Sequence, residues 1–472
     1  MTREIAIFDL DSALLGRSPL PVLADTVSGA DPARGRLVRA VQAVYRLLDV
    51  ATGPFLTGAV VRAAARSTAG WDLSQVRRVG EQAASAVDDM VAPHARAEMD
   101  EHREAGRDLL LTTVLPPDLA EPAARRLGFD AVVGTRIGVS EGRLDGNVEG
   151  PVVWGRGKLL AVREWAAAND AVLGRSYAYA GRIHDAALLA EVGHPTVIDP
   201  DPRLAALAWL RGWATRSFDV PPGVVKVAGR EIQELLRPLT RPELVPFARF
   251  EFSGLEHIPA SGAAIVCGNH RSYLDTNAVA LTIARKGRNA RFLGKKEVFD
   301  APVFGPIARW LGGIRVERGS GSDEPLRAAV KALRAGELIC VMPQGTIPRG
   351  AAFFEPELKG RWGAAQLAAM TRAPVIPLGL WGTEKAWPRS SRLPRLDRAH
   401  PPQVTVRAGP AVELFYRDPD EDTKRIMSAI VDLLPPEARE RREPTSEELA
   451  LTYPPGYKGD ATREHERRPG RD

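Results

Sequence analysis

A chain of 472 residues, 44% hydrophobic and 26% charged, has ordinary globular composition and room for about two to four domains, which excludes a fibrous or disordered chain over most of its length. Its 64 Lys and Arg against 59 Asp and Glu leave a formal charge of +5, too little over this length to point to nucleic acid. Two cysteines, Cys267 and Cys340, exclude a disulfide framework and a Cys-based zinc site, the 8 histidines show no metal-ligand spacing, and a reducing cytoplasm fits.

No run of about 18 apolar residues is present, so no spanning helix is predicted, and the opening MTREIAIFDLD lacks the pattern of a signal peptide. Ile5-Ala6-Ile7-Phe8 is a short apolar run ending on Asp9, which predicts a buried strand that delivers a carboxylate at its C-terminal end. Residues 19–104 carry helical spacing, as in Val41, Val44, Tyr45, Leu47 and Leu48. Further strands are expected at 109–111, running into Thr112 and Thr113, and at 131–133, 177–180 and 196–198. Alternating strands and helices imply an α/β layer with a parallel sheet.

A linker is read at 217–223, followed by an amphipathic helix with Val225, Ala228, Ile232, Leu235, Leu236 and Leu239 on one face. A second α/β pattern begins near Ala248, with strands at 264–267, 338–341, 375–378 and 404–406, and closes with a helix to about Leu434. From Pro435 the chain is charged and Pro-rich and reads as a mostly disordered tail. The expected fold class is therefore two α/β domains, at 1–216 (helical cap about 14–105) and 246–434, with 217–245 as linker and helix and 435–472 as tail.

The strand-end sequence Asp9-Leu10-Asp11, followed in order by Thr112, by Lys158 and by the stretch from Tyr179 to Asp185, resembles the haloacid dehalogenase-like phosphatases of the phosphoserine-phosphatase-like branch. The resemblance implies a Rossmann-like domain in which Asp9 is the nucleophile, Asp11 the acid/base, and Mg²⁺ the cofactor on Asp9 and Asp185. Ala13 stands where Thr or Val is usual, and Gly181 stands where the fourth motif supplies its first Asp. Losing a carboxylate weakens a Mg²⁺ site, so the domain is expected to keep the fold with impaired or lost phosphatase activity. The alternative is that Asp9 and Asp185 alone retain the ion.

In the second unit, Asn269-His270-Arg271-Ser272-Tyr273-Leu274-Asp275 follows a predicted buried strand. Five residues advance about 500° on a continuous helix, so His270 and Asp275 meet only if His270 lies in the turn and Asp275 in the first turn of the next helix, with Ser272 as N-cap. The carboxylate would then hold one imidazole nitrogen and leave the other for a substrate hydroxyl. The plainer alternative makes Asp275 a capping acid and His270 a solvated loop residue.

Four ordered blocks decide between these readings: 269–275, 292–297 with 313–318, 342–346, and 375–378. Together they resemble the glycerolphospholipid acyltransferases, the 1-acylglycerol-3-phosphate acyltransferases above all. The resemblance implies that His270 takes the proton from the acceptor hydroxyl as it attacks an acyl thioester, while Asp275 orients the imidazole. Asn269, Arg271, Lys295, Arg318, Gln344, Gly345 and Thr346 fall in the family's substrate-binding blocks. Gln344 replaces the family's Glu and Ile347 its Arg, and Arg349 is the candidate to supply the missing guanidinium, its bland alternative being a solvated loop charge.

The apolar stretch 298–311 is read as an acyl groove or lipid contact, or else as core, and the basic run Arg285, Lys286, Arg288, Arg291, Lys295 and Lys296 as a surface for anionic lipid. The implied partners are a lysophospholipid, an acyl-CoA or acyl-carrier-protein thioester, and the inner face of the cell membrane, peripherally. No nucleic acid is expected, and acyl transfer itself needs no cofactor. A bifunctional enzyme with an active phosphomonoesterase and a non-catalytic membrane scaffold are the competing readings.

Overall fold

The computed structural model describes residues 3–15, 18–30, 35, 36, 39, 54–221, 223–227, 229–302, 304–316 and 324–458. They form two compact units, Met1–Val220 and Pro221–Asp472.

The first unit is built on β1 (Ile5–Asp9), β2 (Asp108–Thr112), β3 (Ala131–Val133), the hairpin β4 (Arg136–Ser140) and β5 (Arg143–Glu149), then β6 (Tyr177–Ala180), β7 (His194–Ile198) and β8 (Ala214–Arg216). Six of these make one parallel sheet in the order β3-β2-β1-β6-β7-β8. Both faces are buried: Ala6, Phe8, Leu109 and Leu111 pack on one side, and Ile5, Ile7, Leu110 and Ala178 on the other. That is why β1 and β2 read as unbroken apolar runs rather than alternating ones. Helices Leu20–Ala30, Pro54–Ser67, Leu73–Asp88 and Pro93–Glu104 make up most of the described part of the helical region. The Val41–Leu48 stripe lies outside the described residues. The hairpin was not anticipated; Glu141 and Gly142, at φ 51 and 76, supply the left-handed turn that matches strand twist.

The second unit adds a short hairpin, β9 (Lys226–Val227) with β10 (Arg230–Glu231), and then β11 (Arg249–Ser253), β12 (Ala264–Gly268), β13 (Arg291–Lys295), β14 (Ile314–Val316), β15 (Leu338–Val341), β16 (Val375–Trp381) and β17 (Gln403–Ala408). The seven-stranded sheet runs β11-β17-β16-β12-β15-β13-β14, parallel except where β16 meets β17. Cys267 and Cys340 are core residues on opposite faces, and burial pushes both thiols up, out of reactive range.

Two expectations are corrected. The amphipathic helix read from Val225 to Leu239 is only Ile232–Leu236 with a 3₁₀ turn after it, because the chain first doubles back through Gly229 at φ +77. The hairpin places Glu231 against Arg291, an almost wholly buried guanidinium that takes both carboxylate oxygens at 2.7 and 2.8 Å and also pairs with Glu337. An unpaired buried cation would cost several kcal/mol, so this contact outranks the apolar stripe.

The tail is also ordered where described. Ser446–Leu451 is a helix with a capping box between Thr445 and Glu448, and Arg442 forks onto Glu448 at 2.7 and 2.8 Å. Composition misled there because local capping and ion pairing replaced apolar burial as the source of order.

Candidate active sites

In the first unit, β1 and β2 pair so that Asp9 lies opposite Thr112, at the carboxyl ends of central strands. Asp9 caps the five-residue π-helical turn Leu10–Leu14, its Oδ2 accepting from the Ser12 N–H at 2.9 Å and the Ser12 hydroxyl at 2.6 Å. Lys158, in the first turn of helix Arg156–Ala168, reaches Asp9 Oδ1 at 2.6 Å and Asp185 Oδ1 at 2.5 Å. All three are buried. Thr112 Oγ1 lies 3.4 Å from Asp9, and Asp11 meets Thr113 rather than Thr112, at 3.5 Å. The five residues read from sequence thus converge, and two more join them, Ser12 and Thr113. The N-cap relation of Ser12 to Asp9 was a readable signal for the first.

The charges order themselves around the ammonium. Burial alone would raise the Asp9 carboxyl, but the charge and hydrogen bond of Lys158 and the two Ser12 bonds outweigh it and hold it below the usual carboxylate range. Asp11, with burial and the neighbouring Asp9 and Asp185 against it, is pushed up to about 7. Burial would lower Lys158, yet Asp185 and Asp9 raise it well above an ordinary amine.

This donor set does not fit a Mg²⁺ site. Its two candidate ligands, Asp9 and Asp185, are bridged by one ammonium, and the Ser12 hydroxyl lies between Asp9, Asp185 (3.4 Å) and the Gly181 N–H (3.0 Å). Among the described residues no three His, Cys, Asp or Glu side chains are grouped to hold a metal. Gly181 is closed against a side chain as well: a Cβ there would run into the Ile198 carbonyl oxygen and come within 2.6 Å of the Ser12 carbonyl oxygen.

In the second unit, β12 lies between β15 and β16, and the turn after it carries His270. His270 Nδ1 is 2.8 Å from Asp275 Oδ2, which also accepts from the Arg271 N–H at 2.6 Å and the Ser272 N–H at 2.7 Å. An oxygen that already accepts two backbone N–H groups makes Nδ1 the donor, so the imidazole presents Nε2 as its acceptor. The ring is 20% exposed and the Asp275 side chain fully buried. The helix begins at Asp275, not after Ser272, and the pair forms because the intervening loop folds back over the carboxylate.

The remaining predicted residues divide. Asn269 pins β12 to β16, exchanging bonds with the Leu380 carbonyl at 2.9 Å and N–H at 2.7 Å. Arg271 is held between the Phe353 and Trp381 rings, at 4.2 and 4.3 Å, and pairs with Glu384 at 3.0 Å. Gln344 Oε1 accepts from the His270 N–H at 2.6 Å, within the turn that Gly345 closes onto the Met342 carbonyl at φ +71. A Gln keeps the acceptor a Glu would supply, so this departure from the family pattern leaves the histidine turn supported. Thr346 follows that turn, half-buried, and the Arg349 guanidinium lies 4.7 Å over the Tyr457 ring. Lys295 ends β13 with its side chain outside the described residues, as is the whole of Arg318.

The basic run does not form one surface, since Arg291 is buried and Arg288 bonds the Pro259, Gly262 and Gly336 carbonyls. The apolar stretch splits: Phe299 is core, whereas Val298, Ile307 and Trp310 are 46, 43 and 46% exposed. Among the described residues no helix is long and apolar enough to cross a membrane.

Comparison with known proteins finds two families along the chain. Residues 6–190 match the haloacid dehalogenase-like hydrolases and residues 249–381 the acyltransferases. The "Probable phosphatase Rv3661" of Mycobacterium tuberculosis is 36% identical over 157 residues, 32% of this chain and 53% of that protein. "Phosphoserine phosphatase SerB1" of the same organism is 38% identical over 119 residues, 25% of this chain and 39% of that one. Among solved structures, the 1-acyl-sn-glycerophosphate acyltransferase PlsC of Thermotoga maritima is similar with 22% identity and a TM-score of 0.33, over 42% of this chain and 76% of that one. The chain spans about half the length of the curated relatives it first matches, 53%. It carries a haloacid dehalogenase-like hydrolase domain followed by an acyltransferase domain. Haloacid dehalogenase-like phosphatases use Mg²⁺, so the expectation of that ion is in keeping with the class, while among the described residues the carboxylate set is incomplete for it.

Proposed function

We propose that the second unit moves an acyl group from a thioester donor to the free hydroxyl of a lysophospholipid, with 1-acylglycerol-3-phosphate as the foremost acceptor. The observation that carries this reading is the His270–Asp275 pair, with Nδ1 engaged at 2.8 Å and the ring edge partly open. Nε2 takes the proton of the acceptor hydroxyl as its oxygen attacks the thioester carbonyl. The C–S bond then breaks, and the imidazolium returns the proton to the leaving thiolate, so the histidine ends as it began. Asp275 stabilises the transient imidazolium. No acyl-enzyme is required, and the buried, inert Cys267 agrees with that. Thr346, Arg349, Lys295 and Arg318 are the proposed contacts to the acceptor phosphate. The exposed Val298, Ile307 and Trp310 favour peripheral lipid contact over an all-core role for that stretch.

The test is acyl incorporation from acyl-CoA and acyl-carrier-protein into a panel of lysophospholipids. His270→Ala should abolish turnover, and Asp275→Asn should lower kcat by about 10²-fold or more, with far-UV circular dichroism unchanged for His270→Ala. Undiminished turnover in His270→Ala would remove the mechanism. For the first unit, the closed Gly181 and the lysine-bridged carboxylates favour a domain that keeps the fold without Mg²⁺-dependent turnover. Mg²⁺-dependent phosphate release that disappears in Asp9→Asn would overturn that and establish the bifunctional reading.

A further inference from the structure

The segment after Pro435 lies outside the span matched to the acyltransferases, residues 249–381, yet it packs on the loop that follows the Gln344-Gly345-Thr346 turn. Thr452 is buried, and its hydroxyl has two fixed partners: it accepts from the Gly350 N–H at 2.8 Å and donates to the Leu449 carbonyl at 2.7 Å. Gly350 is itself buried at φ +57, so the loop turns where the threonine grips it. Nearby, Ser390 N–H donates to the Leu451 carbonyl at 3.2 Å, and the Arg442 guanidinium lies 4.8 Å over Phe354. At its far end the segment places Tyr457 under Arg349. A ring face adds an electrostatic hold on the guanidinium that stacks over it. The segment also walls, through Glu448 and Thr452, one side of a cavity of about 470 Å³ whose other side includes Arg271, Phe353 and Trp381.

The stretch that carries Arg349 is thus held on both sides of it. Before it Gln344 bonds the His270 N–H, and Arg361 N–H bonds the Pro343 carbonyl at 2.8 Å; directly after it Thr452 holds the Gly350 N–H. We propose that the C-terminal segment is a working part of the acyl-transfer site, with Thr452 and Tyr457 as positioning residues that hold loop 346–354 so that Arg349 meets the phosphate of the acceptor. The inference rests on the acyl-transfer reading and adds to it the source of acceptor recognition, which the replacement of the family's Arg by Ile347 otherwise leaves short of one guanidinium.

Because His270 and Asp275 are held by bonds the segment does not touch, its loss should fall on acceptor binding rather than on chemistry. In the full-length protein, Thr452→Val and Tyr457→Leu should raise the acceptor KM by about fivefold or more, the equivalent of one lost hydrogen bond or cation–π contact, with kcat at saturating acceptor within about twofold. Thr452→Ser and Tyr457→Phe, which keep the hydroxyl and the ring, should restore the KM. Hydrogen exchange at the Gly350 amide should quicken in Thr452→Val and not in Thr452→Ser, a readout independent of activity. The proposal is overturned by an unchanged acceptor KM in Thr452→Val, by a loss spread equally over kcat and both substrates that Thr452→Ser fails to rescue, or by unaltered Gly350 exchange. A wild-type protein that acylates no lysophospholipid sinks the acyl-transfer reading and this inference with it. An active wild type with an indifferent Thr452→Val sinks this inference alone.

Discussion

Replacing Lys158 with Met removes one ammonium from between two carboxylates and keeps most of the side-chain volume. Asp9 and Asp185 are then left buried without their shared cation, 5 and 0% exposed. Breaking a buried ion pair from one side costs about 3–5 kcal/mol, because the surviving charge keeps its desolvation penalty and loses its partner. In a unit the size of Met1–Val220, each kcal/mol lowers Tm by about 2–4 °C, so a fall of about 6–20 °C is expected near neutral pH.

The pH dependence follows from the directions of the shifts. The Asp9 carboxyl is held low, so its contribution to wild-type stability is present above the ordinary carboxylate range and is lost as pH falls through its folded value. Lys158 is raised, so its contribution persists across neutral pH and disappears only in strong alkali. In Lys158→Met the stranded Asp9 carboxyl protonates readily, and the gap to wild type should narrow towards about pH 4.5. Differential scanning calorimetry, with hydrogen exchange of Ile5–Asp9 to assign the transition to the first unit, measures both. A variant melting within about 2 °C of wild type at about pH 7.5, or a gap that does not close in acid, would refute the reasoning.

Asp11→Asn tests the opposite sign. A carboxyl raised to about 7 supports the fold below the ordinary carboxylate range and loses that support as pH rises through about 7, so the variant should gain stability from about pH 4 upward and level off above about pH 7. The gain is at most about 4 kcal/mol and shrinks with solvent screening; equal melting temperatures at about pH 8 would contradict it. Gln344→Leu strands the His270 N–H and should cost about 1–3 kcal/mol in stability with a lower kcat, while Gln344→Glu keeps the acceptor and should stay within about threefold of wild type, both read from melting curves and acyl incorporation. Gly181→Asp should destabilise by about 2 kcal/mol or more and should acquire no Mg²⁺-dependent rise in Tm, because its Cβ has no room to enter.

Chain order and residue type determined a good deal unaided. Apolar runs ending in Asp9 and before His270 announced buried parallel strands, since only strands covered on both faces lack alternation, and strand ends are where an α/β sheet presents chemistry. The residues of both sites were readable through resemblance to ordered family motifs, whereas the stretch Asn269–Asp275 by itself fitted a capping acid beside a loop histidine equally well.

What each of those side chains does was decided by partners far away in sequence. Gln344 reaches His270 across 74 residues, Asn269 meets Leu380 across 111, and Thr452 meets Gly350 across 102. Arg291 read as one charge in a surface run until Glu231, 60 residues earlier, neutralised it in the interior. Gly181 read as a missing ligand, and the Ile198 and Ser12 carbonyls turned that absence into a steric bar. A sequence records the donors and acceptors, but sheet order brings β12 beside β15 and β16, and the cost of leaving a buried polar group unpaired then selects which of them meet.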